Sequence, residues 1–320
     1  MLELAIVGAG VMGSHHGRVA MGLRDARPAF IVDPDAEAGS RLAESTGAKY
    51  VPDVSEVIGR IQAAIVAVPT HLHRSISEQL LSEGIHVLLE KPIASSVDEA
   101  LSVVETAERN GVRLMIGHVE RFNPAILELD RIVSDPVHID VARIGPHSPR
   151  LADHVVLDLM VHDLDIATAL VGSPVHEIAA FGRGILGDEP DIASAMLRFE
   201  GGATAVFTAS RIGQSKIRRL EITQHDSFVV VDMLRQTVMI ERGSQSEFLD
   251  EERAYRQEGV IEIPYLSWKG EPLYLEQEHF VGSVLSGTEP KVDGRAGVQA
   301  LQLSLEVTAA VEQSSAGRSA

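Results

Sequence analysis

Three groups of residues have types and spacings that could do chemistry. Gly8-Ala9-Gly10-Val11-Met12-Gly13 has the G-x-G-x-x-G spacing, and Asp33 follows about one helix and one strand later. Lys91 stands between Glu90 and Pro92. Asp158 and His162 are one helical turn apart, and Asp165 is one turn further. The glycines suit a tight turn, close backbone approach to a pyrophosphate, and packing of the following helix. Free N–H groups at that helix start would face phosphates. Asp33 is placed to accept the ribose hydroxyls, which favours NAD over a phosphorylated ribose that a carboxylate would repel. A carboxylate beside an imidazole fixes its tautomer and raises its basicity. Lys91 supplies a cation. A base and a cation beside a dinucleotide suffice for hydride chemistry at a hydroxyl, with no metal.

Bland readings stand beside these. Lys91 could be a surface lysine in a strand-to-helix loop, and Asp158 and His162 an ordinary helix pair. His147, Asp153, His154, Asp158, His162 and Asp165 are ligand types, but the chain has no H-E-x-x-H and no cysteine. No metal is expected. His15, His16, His71 and His73 follow the first and third strands, and some of them are expected to touch cofactor.

The elements that must position these groups are legible in the pattern. Leu2–Val7, Ala29–Val32, Ala63–Val68, Ile85–Leu89 and Val112–Ile116 are apolar runs of strand length. Helical stretches alternate with them: His15–Arg24, Asp35–Thr46, a short one over Asp53–Arg60, Leu72–Ser82, and Ser96–Asn110 with Ser96 as cap and Glu99 as its capping-box partner. Strands apolar on both faces, alternating with helices, predict a doubly wound parallel sheet of the Rossmann kind. Ligands of such sheets bind beyond the carboxyl ends of the strands. Gly8, Asp33, Pro69-Thr70, Glu90-Lys91 and Gly117-His118 all fall there.

The pattern changes near Gly117. Asn123 caps a helix with Pro124 at its first position. Val156–Val171 is helical, and its apolar neighbours leave Asp158 and His162 on a stripe expected to face a cleft. Closely spaced strand-like runs from Glu177 to Glu241 predict an antiparallel meander. Gln245–Pro264 has no clear pattern, and Leu273–Leu285 and Ala296–Val311 are helices. The expected division is residues 1–120, an NAD-binding domain, and residues 121–320, an α+β domain with a predominantly antiparallel open sheet. The uncovered face of that sheet predicts a homodimer or homotetramer.

Composition excludes some partners. The chain has 320 residues, 45% of them hydrophobic and 23% charged, as in ordinary globular proteins. A formal net charge of −18 argues against nucleic acid. No apolar run reaches membrane-spanning length and no basic leader precedes the first strand, so a cytoplasmic protein without a membrane partner is expected. An anionic substrate would need local cations. Arg121, Arg143, Arg150, Arg211 and Lys216 are the candidates, with Asn123 beside them on the substrate side.

Together these residues resemble the glucose–fructose oxidoreductase / inositol dehydrogenase (Gfo/Idh/MocA) family. The resemblance rests on Gly8-x-Gly10-x-x-Gly13, Pro69-Thr70-x-x-His73, Glu90-Lys91-Pro92, Gly117-His118 through Arg121-Phe122-Asn123-Pro124, and Asp158-x-x-x-His162. It extends to Glu271-Pro272-Leu273, Phe280, Gly294 and Ala300-Leu301, so it covers nearly the whole chain. It implies an NAD-dependent dehydrogenase of a secondary hydroxyl. Lys91 and His162 would flank that hydroxyl, with Asp158 behind the histidine, and Glu90 would touch the nicotinamide ribose. Gly8, Gly10, Val11, Met12, Gly13, Asp33, Pro69, Thr70, His73, Glu90 and Lys91 would form the cofactor side. Within the family, Gly117–Pro124, Arg143-x-Gly145-Pro146 and Ser215–Arg218 are similar to the branch that oxidises the 3-hydroxyl of UDP-N-acetylglucosamine. A cyclitol or free monosaccharide is the alternative substrate. A non-catalytic NAD-binding regulator is the alternative of another class, and the intact Lys91, Asp158 and His162 set argues against it.

Overall fold

The computed structural model describes residues 1–147, 154–187, 189–243 and 259–316. The chain forms two compact units, Met1–Phe122 with Gly270–Gln302, and Asn123–Lys269 with Leu303–Ala320.

The first unit alternates strand and helix: β1 (Leu2–Val7), α1 (Val11–Ala20), β2 (Ala26–Val32), α2 (Ala36–Thr46), β3 (Lys49–Val51), β4 (Ala63–Val66), α3 (His73–Ser82), β5 (His86–Glu90), α4 (Val97–Asn110) and β6 (Leu114–Gly117). The strands form one parallel sheet in the order β3-β2-β1-β4-β5-β6. The order reverses at β1, between β2 and β4, so the crevice at the switch point opens beyond the end of β1. Leu4, Ile6, Ile31, Ile65 and Leu88 are fully buried. Each such side chain contributes about 1.5–3 kcal/mol by leaving water. Asp53–Arg60, expected to be a short helix, is a 3₁₀ turn over Val54–Val57. The Ser96 hydroxyl accepts from the Glu99 amide at 3.3 Å, but the Glu99 carboxylate reaches the Ser95 amide at 3.2 Å, one residue before the reciprocal box.

The second unit holds α5 (Pro124–Ile132), β7 (His138–Ile144), a π-helical turn (Val156–Met160), α6 (Val161–Val171), β8 (Val175–Arg183), β9 (Ile192–Phe199), β10 (Thr204–Ser210), β11 (Ile217–Thr223), β12 (Phe228–Asp232), β13 (Thr237–Arg242) and β14 (Val260–Glu262). The sheet order is β14-β13-β12-β11-β7-β10-β9-β8, antiparallel except for the β7–β10 pair. Two local meanders, β8–β10 and β11–β14, thus flank β7, which comes earliest in sequence. Ala125, Ile126 and Leu129 of α5 and Leu164 and Ala167 of α6 cover one face over Ile139, Val141, Phe207 and Leu220. The other face carries Phe181 at 63% exposure and Met196 at 52%.

Two last helices, α7 (Pro272–Ser286) and α8 (Gly294–Ala316), follow. A single cut at residues 120/121 would give both to the second unit. Instead α7 and the start of α8 return to the first, while Leu303, Val307 and Val311 of α8 pack in the core of the second. The physical reason is α7's apolar face: Leu273, Phe280 and Val281 are buried, and α7 lies against α1 and the 3₁₀ turn Val119–Phe122. No helix among the described residues is long and apolar enough to cross a membrane.

Candidate functional site

In the first unit the glycine turn joins β1 to α1. Gly8 has φ +99°, and a Cβ there would meet the Ala67 carbonyl oxygen at 2.4 Å. A Cβ on Gly13 would meet the Gly8 carbonyl oxygen at 1.7 Å, so this glycine is what lets α1 start against the strand. A Cβ on Gly10, by contrast, meets nothing within 4 Å. Gly10 is the N-cap of α1, no side chain caps that end, and Val11 and Met12 are exposed. Amides at an uncapped helix start beside open space fit a pyrophosphate.

Asp33 follows β2. Its Oδ2 accepts from the Ala9 amide at 2.6 Å and its Oδ1 from the Asp35 amide at 2.8 Å. The carboxylate is therefore pinned to the glycine turn itself. A carboxylate has about four lone-pair sites, so two remain for ribose hydroxyls. These residues fit a dinucleotide.

At the end of β5, Glu90 and Lys91 are half-buried, and the Lys91–Pro92 bond is cis. Glu90 Oε1 lies 2.8 Å from His16 Nε2, and Oε2 accepts from the Lys91 amide at 3.2 Å. Behind them lies Glu276 of α7, 0% exposed, whose two carboxyl oxygens have no hydrogen-bond partner. Burial, and then the charge of Glu90, push its pKa well above the ordinary 4.5. Pro69 is exposed and leads the 3₁₀ turn Thr70–Leu72, with Thr70 half-buried.

His73, expected at the cofactor, is placed differently. It is buried, with Nδ1 2.8 Å from the Pro92 carbonyl and Nε2 2.9 Å from the Val68 carbonyl. Burial holds its pKa below the ordinary value, with the two carbonyls acting in the opposite sense. It braces the end of β4 against the Lys91–Pro92 loop. The histidine that sequence reasoning left unassigned, His16, is the one bonded to Glu90.

In the second unit Asp158 sits inside the π-helical turn and His162 is the second residue of α6; both are half-buried. Sequence spacing places the two on one regular α-helix, but the Val161 amide bonds back to the Val156 carbonyl, five residues earlier. Single π turns of this kind concentrate at functional sites. His154, just before the turn, is buried with Nε2 unpartnered, and burial lowers its pKa.

Three substrate-side expectations are corrected. Arg143 on β7 is 3% exposed and forks onto Asp163, 2% exposed, at 2.8 and 2.7 Å. It ties β7 to the first turn of α6, beside His162, rather than presenting a cation to a ligand. Asn123 is buried; its Oδ1 caps α5 at the Ala125 amide, 3.1 Å, and its Nδ2 donates to the Met233 carbonyl, 2.9 Å. Arg211 is likewise buried against Asp191, Nε to Oδ1 2.8 Å. Arg121 is half-buried and Lys216 exposed. Arg150 lies outside the described residues.

Sequence reasoning also missed Glu276 and Gln277. The signal was present: Leu273, Glu276, Gln277 and Phe280 follow the i, i+3, i+4, i+7 spacing of a buried helix face, with two polar residues in the middle.

The Gfo/Idh/MocA oxidoreductase profile, described as an NAD-binding Rossmann fold, matches residues 2–118, and the Gfo/Idh/MocA C-terminal domain profile matches residues 137–226. The chain is 29% identical over 314 residues to the UDP-N-acetylglucosamine 3-dehydrogenase of Acidithiobacillus ferrooxidans, covering 97% of each. A solved structure of that enzyme superposes with a TM-score of 0.90 at 28% identity, covering 98% of both chains. The myo-inositol 2-dehydrogenase of Thermotoga maritima is 25% identical, covering 98% of this chain and 97% of its own. With both profiles matched in order, the glycine turn, the strand-end residues and the second sheet make this chain a member of the Gfo/Idh/MocA family, an NAD-dependent oxidoreductase that acts on alcohol groups.

Proposed function

We propose that the protein oxidises a secondary hydroxyl of a sugar, and that the sugar is UDP-N-acetylglucosamine or a related nucleotide sugar, reacting at its 3-hydroxyl. The observation that carries this reading is the similarity, over 97% of both chains, to a relative of that activity. NAD, when bound, supplies the hydride acceptor. The turn at Gly8, Gly10, Val11, Met12 and Gly13 would hold its pyrophosphate, and Asp33 its ribose. Pro69, Thr70 and Glu90 would border it at the strand ends.

In this reading the His162 imidazole takes the hydroxyl proton. Asp158, in the turn before it, favours the protonated ring and so raises its basicity. The Lys91 ammonium stabilises the oxygen as negative charge develops on it. Positioned acid–base groups contribute roughly a hundredfold to ten-thousandfold in rate. Of the basic candidates on the substrate side, Arg121 is half-buried and Lys216 exposed.

One observation favours a second reading. Arg143 and Arg211 are both committed to buried aspartates, which leaves fewer cations for two phosphate charges. A cyclitol or free monosaccharide needs none. A panel of UDP-sugars, monosaccharides and inositols, followed by NADH absorbance, separates the readings. The best kcat/KM is expected with UDP-N-acetylglucosamine. Turnover confined to uncharged polyols would replace the nucleotide sugar with a cyclitol, and no turnover with any of them would favour a binding protein.

The apolar, exposed Phe181 and Met196 on one sheet face support a symmetric homo-oligomer closed through that face. Sedimentation is expected to give a dimer or tetramer. A monomer at micromolar concentration would rule this out.

A further inference from the structure

The contacts around Glu90 do not end with His16. Gln277 of α7 places its side-chain nitrogen 2.9 Å from His16 Nδ1 and 3.3 Å from the His16 carbonyl oxygen. A carbonyl only accepts, so the NH₂ of the amide faces His16. The same NH₂ then donates to Nδ1, which must accept and cannot carry hydrogen. The ring hydrogen is left on Nε2, and Nε2 points at Glu90 Oε1, 2.8 Å away. His16 and Gln277 are both 0% exposed, so water does not compete for these bonds. The chain of donors therefore has one direction: Gln277 to His16 to Glu90.

We infer that Gln277 is a positioning residue of the cofactor site, which fixes the His16 tautomer and through it the orientation of the Glu90 carboxylate. This rests on the reading of Glu90 as a cofactor-side group. The direction of the chain matters because the opposite tautomer would present a bare ring nitrogen to a carboxylate. Two acceptors would then face each other, and Glu90 would swing away. The lock comes from a segment that follows the whole second sheet in sequence, so the first unit's strand-end site is complete only once Gly270–Gln302 has folded back onto it.

The experiment reads tautomer and affinity separately. Imidazole nitrogen shifts of His16 in the full-length wild-type protein are expected to show hydrogen on Nε2 and a bare Nδ1. Hydrogen on Nδ1 instead overturns the relay, whatever the cofactor does. Gln277→Met removes the donor at similar bulk; NAD affinity is expected to fall roughly tenfold, as when a buried acceptor loses its partner. Gln277→Glu places an acceptor against Nδ1, and is expected to move hydrogen there and weaken NAD as well. Wild-type NAD affinity in both variants, with circular dichroism showing intact folds, overturns the positioning role. Glu90→Gln tests the underlying reading: unchanged NAD affinity there removes Glu90 from the cofactor site, while the tautomer of the wild type still reports on the relay.

Discussion

Glu90 and His162 stand at the two ends of the proposed chemistry, and the polar groups that hold them are buried in opposite electrical ways. Around Glu90 the supports are a neutral amide, an imidazole with one ring hydrogen, and a buried acid whose surroundings disfavour its charge. Around His162 the support is a full ion pair, Arg143 with Asp163, inside the hydrophobic core. The difference teaches what each site tolerates. A parallel sheet edge that is to receive an anionic dinucleotide next to Glu90 gains nothing from further buried negative charge. A helix that must keep one imidazole in register gains from a rigid fork, because a guanidinium bonds a carboxylate in one plane.

The comparison breaks first, and hardest, at the reacting groups. His162→Ala is expected to lower turnover by roughly a hundredfold to ten-thousandfold, with NAD binding kept, as measured by NADH absorbance and cofactor titration. Asp158→Asn should cost less and move the pH–rate profile, because it removes the charge and not the base. Lys91→Met keeps the stem and should again lower turnover in a folded protein. If turnover in His162→Ala matches the wild type with the best substrate, His162 is a structural histidine and the second unit only binds.

Breaking the supports should show the electrical contrast directly. Arg143→Met takes the guanidinium away from the buried Asp163 carboxylate, and a loss of about 3–5 kcal/mol is expected in urea unfolding. Replacing both, Arg143→Met with Asp163→Leu, should recover most of it. In the first unit Gln277→Met strands one acceptor and should cost only about 1–3 kcal/mol. Equal losses at the two places would mean that the ion pair is not the stronger brace.

Much of this is legible in the amino-acid sequence. Gly8, Gly13 and Asp33 were readable because a turn, a close approach and a carboxylate occur at a spacing that few other structures require. The parallel sheet was readable because Ile6, Ile31, Ile65 and Leu88 sit in runs apolar on both faces. What was not legible depended on distant partners. Arg143 looks like a substrate cation until Asp163, on another element, closes on it. Asn123 looks available until Met233 supplies a carbonyl to its amide. The three-residue strands β3 and β14 are too short for any alternation to register. The return of α7 to the first unit has no local signal except its polar pair at core positions.

Cofactor choice sharpens the first unit's side of the comparison. Asp33 is held by the Ala9 and Asp35 amides, so it cannot swing aside to admit a ribose phosphate. NAD is expected to bind more tightly than NADP. Asp33→Ala should weaken NAD by roughly ten- to a hundredfold, the range for bonds to a charged group, and narrow the gap. Wild-type preference for NADP, by titration, would contradict the assignment of Asp33.

The effect at Glu276 appears only as pH changes, and it tests whether the first unit's buried cluster is neutral. Its pKa is raised in the folded protein by burial and by Glu90. The groups on the elements packed around it are His15, His16 and Arg18 of α1, Glu120 and Arg121 of the 3₁₀ turn, and Glu90 of β5. For an acid raised on folding, the native state binds the extra proton. The contribution is complete below the ordinary value of 4.5 and is lost as pH climbs through the higher folded value. The loss runs at about 1.4 kcal/mol per pH unit in that window. Asp191 and Asp232 behave oppositely, since their pKa values are lowered and their contribution is lost as pH falls. They titrate alike in wild type and variant, so the difference between the two isolates Glu276. Glu276→Gln keeps the shape and cannot ionise. It should match the wild type in mild acid and gain on it steadily toward alkaline pH. Urea unfolding of both proteins from about pH 5 to about pH 9 is the measurement, and parallel curves would mean that Glu276 is charged in the fold and that the two units differ less than their contacts suggest.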